Sequence, residues 1–138
     1  MTSRSYGPPE EAAPGFRLRQ PEDWRALLRA RRNVLIIGSD SAIEAFLRAA
    51  SDDLLKPVRR LSAAHPPPDR AGTIVLTELT TLDDSQQQRL LAWLNQSPRV
   101  DTQVISIAPR PIIAPSTPPA LRLDLYYRLN TIYIELLD

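Results

Sequence analysis

Apolar positions follow two rhythms along the chain. Asn33-Val34-Leu35-Ile36-Ile37-Gly38 is a continuous apolar run closed by glycine, the pattern of a strand covered on both faces in a parallel sheet. Thr73-Ile74-Val75-Leu76-Thr77-Glu78-Leu79 repeats it, and Val104-Ile105-Ser106-Ile107 centres a third run within residues 100–108. Residues 57–63 predict a weaker strand and 131–136 a last one. The intervening segments have helical spacing. Residues 21–32 place Pro21, Glu22 and Asp23 in a first turn and arginines in the last, as the helix dipole prefers. A second helix follows Gly38, capped by Ser39, Asp40 or Ser41, with Ile43, Phe46, Leu47 and Ala50 on one face. A third covers 83–95, with acids at its start and Leu90, Leu91 and Leu94 on its buried side, and a fourth covers 120–130. Five strands alternating with helices predict a three-layer α/β fold with a mainly parallel five-stranded sheet.

The chain has 138 residues, about one domain's worth. Residues 1–20, with Gly7, Pro8, Pro9, Pro14 and Gly15 and no periodic apolar pattern, are expected to form a flexible leader before a domain at 21–138. The fourteen prolines gather in that leader, at 66–68 and within 109–119, which marks loops. With 43% apolar and 24% charged residues the composition is that of a globular protein. No stretch reaches the roughly 18 apolar residues that span a bilayer, and no apolar signal core follows Met1, so a cytoplasmic protein without membrane contact is expected. The absence of cysteine excludes thiolate chemistry and disulfides, and His65, the single histidine, excludes a histidine metal cluster, so no metal site is expected. A formal charge of +1 provides no field for nucleic acid, and direct DNA binding is not expected. Lys56 is the only lysine, so phosphate chemistry that needs one has a single candidate.

Two blocks carry a family resemblance. Gly72-Thr73-Ile74-Val75-Leu76-Thr77-Glu78-Leu79, followed by Leu82, Gln86, Leu90-Leu91 and Leu94, resembles the Walker B strand and next helix of the sigma-54 activator (bacterial enhancer-binding protein) AAA+ ATPase domain, which typically reads GTLFLDEI. Leu121-Arg122-Leu123-Asp124-Leu125-Tyr126-Tyr127-Arg128-Leu129-Asn130-Thr131-Ile132 is similar to that family's FREDLYYRLNVI, a far more specific string. With Val34 to Gly38 in the Walker A strand position, the likeness runs in order over residues 21–137. It implies a P-loop NTPase-like (AAA+) core.

The departures define what the resemblance implies. The family's first strand runs into GESGTGKE, whose glycines turn backbone N–H groups to the phosphates while the lysine contacts them. Here the span is Gly38-Ser39-Asp40-Ser41-Ala42-Ile43-Glu44, with a carboxylate at the lysine position and Ala45 where a magnesium-binding hydroxyl would follow. Thr77 replaces the metal-organising aspartate, Glu78 keeps the place of the residue that polarises the attacking water, and Pro109 stands at the sensor asparagine. Phosphoryl transfer rests on positioning and charge stabilisation, so these losses together imply a pseudo-ATPase with neither ATP nor Mg²⁺ as cofactor. The span 64–71 leaves no room for the sigma-54-contacting GAFTGA loop, and the helical lid is expected to be missing. That loss is expected to expose Ile132, Ile134 and Leu136.

Each candidate has a plainer alternative. Glu78 is a residual catalytic base or a strand-end cap. Arg122 and Arg128 align with the segment that supplies trans-acting arginines between subunits, and an ion pair of Arg122 with Asp124 is the alternative. Arg29, Arg31, Arg32, Arg59 and Arg60 touch phosphates or form solvated faces, and Trp24, Trp93, Tyr126 and Tyr127 fill a core or an interface. The expected function is a degenerate sigma-54-activator-like domain in transcriptional regulation, acting by contacts with intact AAA+ relatives, another regulatory protein or copies of itself. Residual ATP binding or hydrolysis through Glu78 and Arg122, and a stand-alone binding module, are the alternatives.

Overall fold

All four residues of the run Val34–Ile37 are buried, as a strand with both faces covered requires. They form the centre of the sheet. The computed structural model describes residues 15–20, 23–66, 72–96, 102–110 and 121–137. In chain order the elements are β1 (Arg17–Leu18), α1 (Trp24–Arg29), β2 (Val34–Ile37), α2 (Asp40–Ala50), β3 (Val58–Ser62), β4 (Gly72–Thr77), α3 (Asp84–Leu94), β5 (Thr102–Ala108), α4 (Leu123–Leu129) and β6 (Ile132–Leu137). Among the described residues the sheet has six strands in the order β1-β6-β2-β5-β4-β3. Five are parallel, and β1 pairs antiparallel with the end of β6.

The alternation of side chains sorts the core into two layers. Val34 and Ile36 of β2 pack with Ile43, Phe46 and Ala50 of α2 and Leu28 of α1. Leu35 and Ile37 point the other way, against Leu90, Trp93 and Leu94 of α3 and Leu125 and Leu129 of α4. Caps start the helices where acids are expected. The Asp23 carboxylate accepts from the Ala26 N–H, and Asp83 and Gln86 form a reciprocal capping box at α3.

The strand count is a correction: six strands stand where the pattern predicts five. The additional strand, β1, falls inside the stretch expected to be leader, whose residues 1–14 lie outside the described residues. Phe16 explains its position, because its ring stacks edge-on against Phe46 at 5.2 Å and Trp24 at 5.9 Å. That cover also overturns the expected exposure of the last strand. Ile134 and Leu136 are only 2% and 5% exposed, both in the core layer that contains Phe16.

Arg29 and Arg31 of the first arginine cluster bind within the chain, together with Arg25. Asp53, buried after α2, accepts from Arg25 at 2.7 Å and Arg29 at 2.9 Å, while Arg31 donates to its carbonyl oxygen at 2.7 Å. Two cations stabilise one buried carboxylate here, which fastens α1 to the end of α2.

Candidate functional site

The chain leaves β2 at its centre, crosses to the far edge at β3, returns through β4 and β5, and then places β6 on the other side of β2. Such a reversal opens a crevice at the carboxyl ends of the strands. An open cleft of about 380 Å³ lies there, lined by Asp40, Ile43 and Glu44 of α2, Arg60 of β3, Thr77 and Glu78 after β4, and Ile107, Ala108 and Pro109 of β5. It gathers most of the nucleotide-site positions read from the sequence.

The β2–α2 connection decides its chemistry. Gly38 and Ser39 alone separate Ile37 from Asp40, the first helical residue. Gly38 is bound by its N–H to the Ala108 carbonyl at 3.1 Å, and a side chain on it would meet the Leu136 Cβ at 3.0 Å. Ser39 is the helix cap among the three candidates: its Oγ accepts from the Ala42 N–H, and its carbonyl accepts from the Ile43 N–H. One of the four N–H groups that a helix start leaves unpaired, that of Ala42, is therefore taken by the chain itself. The Ser41 hydroxyl lies 3.3 Å from that of Ser39. The span 38–44 is thus two residues of turn followed by helix.

Charge in the cleft is mainly negative. Glu44, in the second turn of α2, pairs with Arg60 at 2.8 Å, and both side chains stay about half exposed. Sequence reasoning finds Arg60 only as one of an arginine pair that touches phosphates or forms a solvated face. Its place two residues before the end of β3, on the opposite face from Arg59, is the available signal. Glu78 is exposed, with left-handed backbone (φ 64°, ψ 36°) at the start of a single helical turn. The Thr77 hydroxyl donates to the Leu61 carbonyl at 3.4 Å.

Arg122 and Arg128 sit at opposite ends of α4, outside the cleft lining. Arg122 donates to both Asp124 oxygens at 3.3 Å and lies 3.7 Å from Asp84, so the ion-pair alternative is the arrangement present. That hydrogen bond raises the affinity of Arg122 for its proton, and the same bond lowers the Asp124 carboxyl below its usual range. Arg128 donates to the Leu94 carbonyl at 2.9 Å, and its own carbonyl accepts from Asn33, just before β2. Arg128 therefore lies beside the amino end of β2, the end of the sheet away from the cleft.

No family profile matches the sequence of this chain. No curated protein matches it either. Solved structures do match. NtrX from Brucella abortus in complex with ATP gives a TM-score of 0.58 at 15% identity, over 80% of this chain and 34% of that one. NtrX in complex with ADP gives 0.56 at 15% identity, over 80% and 33%, and a further NtrX structure gives 0.52 at 15%, over 80% and 34%. This chain thus spans about a third of the length of those proteins. It is an α/β domain with an NTPase-like fold similar to that part of NtrX.

Proposed function

We propose that the chain is a sigma-54-activator-like domain that acts in transcriptional regulation through protein contacts, without binding or hydrolysing ATP. The observation that carries this reading is the two-residue turn between β2 and α2, self-capped by Ser39 and followed by Asp40 and Glu44. A phosphate nest needs several free backbone N–H groups in a loop, whereas here a two-residue turn leads straight into the helix and the Ala42 N–H is bound to the Ser39 hydroxyl. Three carboxylates, Asp40, Glu44 and Glu78, line the cleft against one cation, Arg60, which is bound to Glu44. Each exposed carboxylate about 4 Å from a phosphate adds repulsion of about 1 kcal/mol per unit charge in water. Attraction within the cleft does not offset that.

Charge and loop length separate in one variant. Glu44→Lys restores a cation at the aligned position but leaves the turn short. Equilibrium dialysis against labelled ATP is expected to detect no binding, and recovery of micromolar binding would assign the loss to charge alone. The protein-contact half is tested by mixing the chain with an intact sigma-54 activator ATPase domain. Co-elution and a fall in that domain's ATPase rate are expected. If the chain neither self-associates nor binds the intact domain, the reading fails.

A further inference from the structure

Among the described residues β3 is the outer strand of the sheet on the side of β4. In a parallel ladder the N–H and C=O of one residue point to the same side, and alternate residues serve opposite neighbours. Pro57 accepts from the Thr73 N–H at 2.9 Å, and Ala63 donates to the Thr77 carbonyl at 2.9 Å, so the odd-numbered residues of this stretch face β4. Val58, Arg60 and Ser62 therefore turn their main-chain groups outward. The Ser62 carbonyl is used by the His65 N–H at 3.0 Å. Among the described residues nothing bonds the outward N–H and C=O groups of Val58 and Arg60.

An open edge is usually blunted by shortness, charge or proline. The opposite edge, β1, is two residues long, whereas β3 is five. Arg60 does not guard it, because its guanidinium is drawn over the sheet face to Glu44 at 2.8 Å. Lys56, just before the strand, is turned back to the Ser51 carbonyl at 2.9 Å. The side chains of Val58, Arg60 and Ser62 share the face that carries α2. At the amino end of that face Val58 leaves an apolar side chain 43% exposed. At the carboxyl end the cleft sets Asp40, Glu44 and Glu78 against Arg60 alone, an excess of two carboxylates. The two ends are about 13 Å apart, four residues of strand. A strand added antiparallel, the direction with the better hydrogen bonds, thus places one residue at the cleft mouth and, four positions later, another beside Val58.

We infer that the outer edge of β3 docks an extended peptide of a partner protein, paired antiparallel to the main chain of Val58 and Arg60, with a lysine or arginine entering the cleft beside Glu44 and an apolar residue four positions later against Val58. The inference rests on the protein-contact reading and specifies the segment that the partner supplies.

A blocked eight-residue peptide tests it on the full chain, with threonine at odd positions, arginine second and valine at the other even positions. Titration followed by NMR is expected to give saturable binding below about 1 mM. The amides of Val58 and Arg60 are expected to exchange with solvent at least about 10-fold more slowly at saturation, because they gain partners that the free chain lacks. Methylating the peptide nitrogens of the fourth and sixth residues, which face β3, is expected to weaken binding at least about 10-fold. Glutamate in place of the arginine is expected to weaken it about 10-fold, and Glu44→Lys in the chain is expected to reverse that preference. Circular dichroism melting controls for folding of the variant. Absence of saturable binding overturns the inference. So does binding that leaves the Val58 and Arg60 amides unprotected, that survives methylation, or that is indifferent to the charge reversal. A chain that ignores the peptide yet still co-elutes with the intact activator domain would overturn this edge alone and leave the protein-contact reading standing.

Discussion

Gly72→Ala is expected to cost about 3 kcal/mol or more and to lower the melting temperature by about 10 °C, measured by calorimetry or thermal circular dichroism. Gly72 opens β4 with φ +78°, a left-handed conformation that costs a residue with a Cβ about 1–2 kcal/mol. Steric overlap costs more than the backbone angle does. A Cβ there would lie 2.1 Å from the Pro57 carbonyl oxygen and 2.8 Å from its nitrogen, both backbone atoms. The same Pro57 oxygen accepts from the Thr73 N–H at 2.9 Å, in the first bond between β3 and β4. Alanine therefore has to push the two strands apart at the start of their register. A change below about 1 kcal/mol would mean that β3 yields freely, and the pairing of Val58 with Thr73 would not hold as described.

Phe46→Ala is expected to cost about 3–5 kcal/mol, the usual range for truncating a buried aromatic. Phe46 has no exposed surface and meets Trp24 at 4.9 Å and Phe16 at 5.2 Å between ring centres. It ties together α2, α1 and the residue before β1. The loss should therefore be felt outside the helix: the Arg19 amide, which donates to Glu135 of β6, is expected to exchange with solvent much faster in the variant. Protection of that amide equal to that in the natural chain would show that β1 is held by its β6 pairing alone. Urea unfolding measures the cost, and hydrogen exchange measures its spread.

The central strands and their helices are legible in the sequence because burial on both faces leaves a mark in every residue. Val34–Ile37, and Ile74 to Leu76 within β4, could hardly be anything else, and the acids before α3 mark its start. β1 is not legible. Two residues carry no periodicity, and what recruits them is a tertiary contact of Phe16 with rings far along the chain. For the same reason the burial of Ile134 and Leu136 cannot be foreseen from β6, whose cover comes from the start of the chain.

The candidate site is legible in its members and less so in its shape. The order of strands brings Asp40, Glu44, Thr77, Glu78 and Pro109 to one cleft. Three polar residues in succession, Ser39, Asp40 and Ser41, are equally good caps on sequence grounds, so the length of the β2–α2 turn stays open until the fold gives Ser39 that role. Arg122 has its expected local partner in Asp124, two residues away. Arg128 binds a carbonyl thirty-four positions earlier in the chain, which no local pattern signals.

Calorimetric titration of the purified chain with Mg-ATP and with Mg-ADP, beside an intact sigma-54 activator domain as positive control, tests the absence of a phosphate site most directly. The short capped turn and the carboxylates around it predict no binding heat for this chain up to millimolar nucleotide, while the control saturates. Saturable binding of either nucleotide by this chain would contradict that reading, because it would require the start of α2 to open and release the Ala42 N–H that the Ser39 hydroxyl now holds.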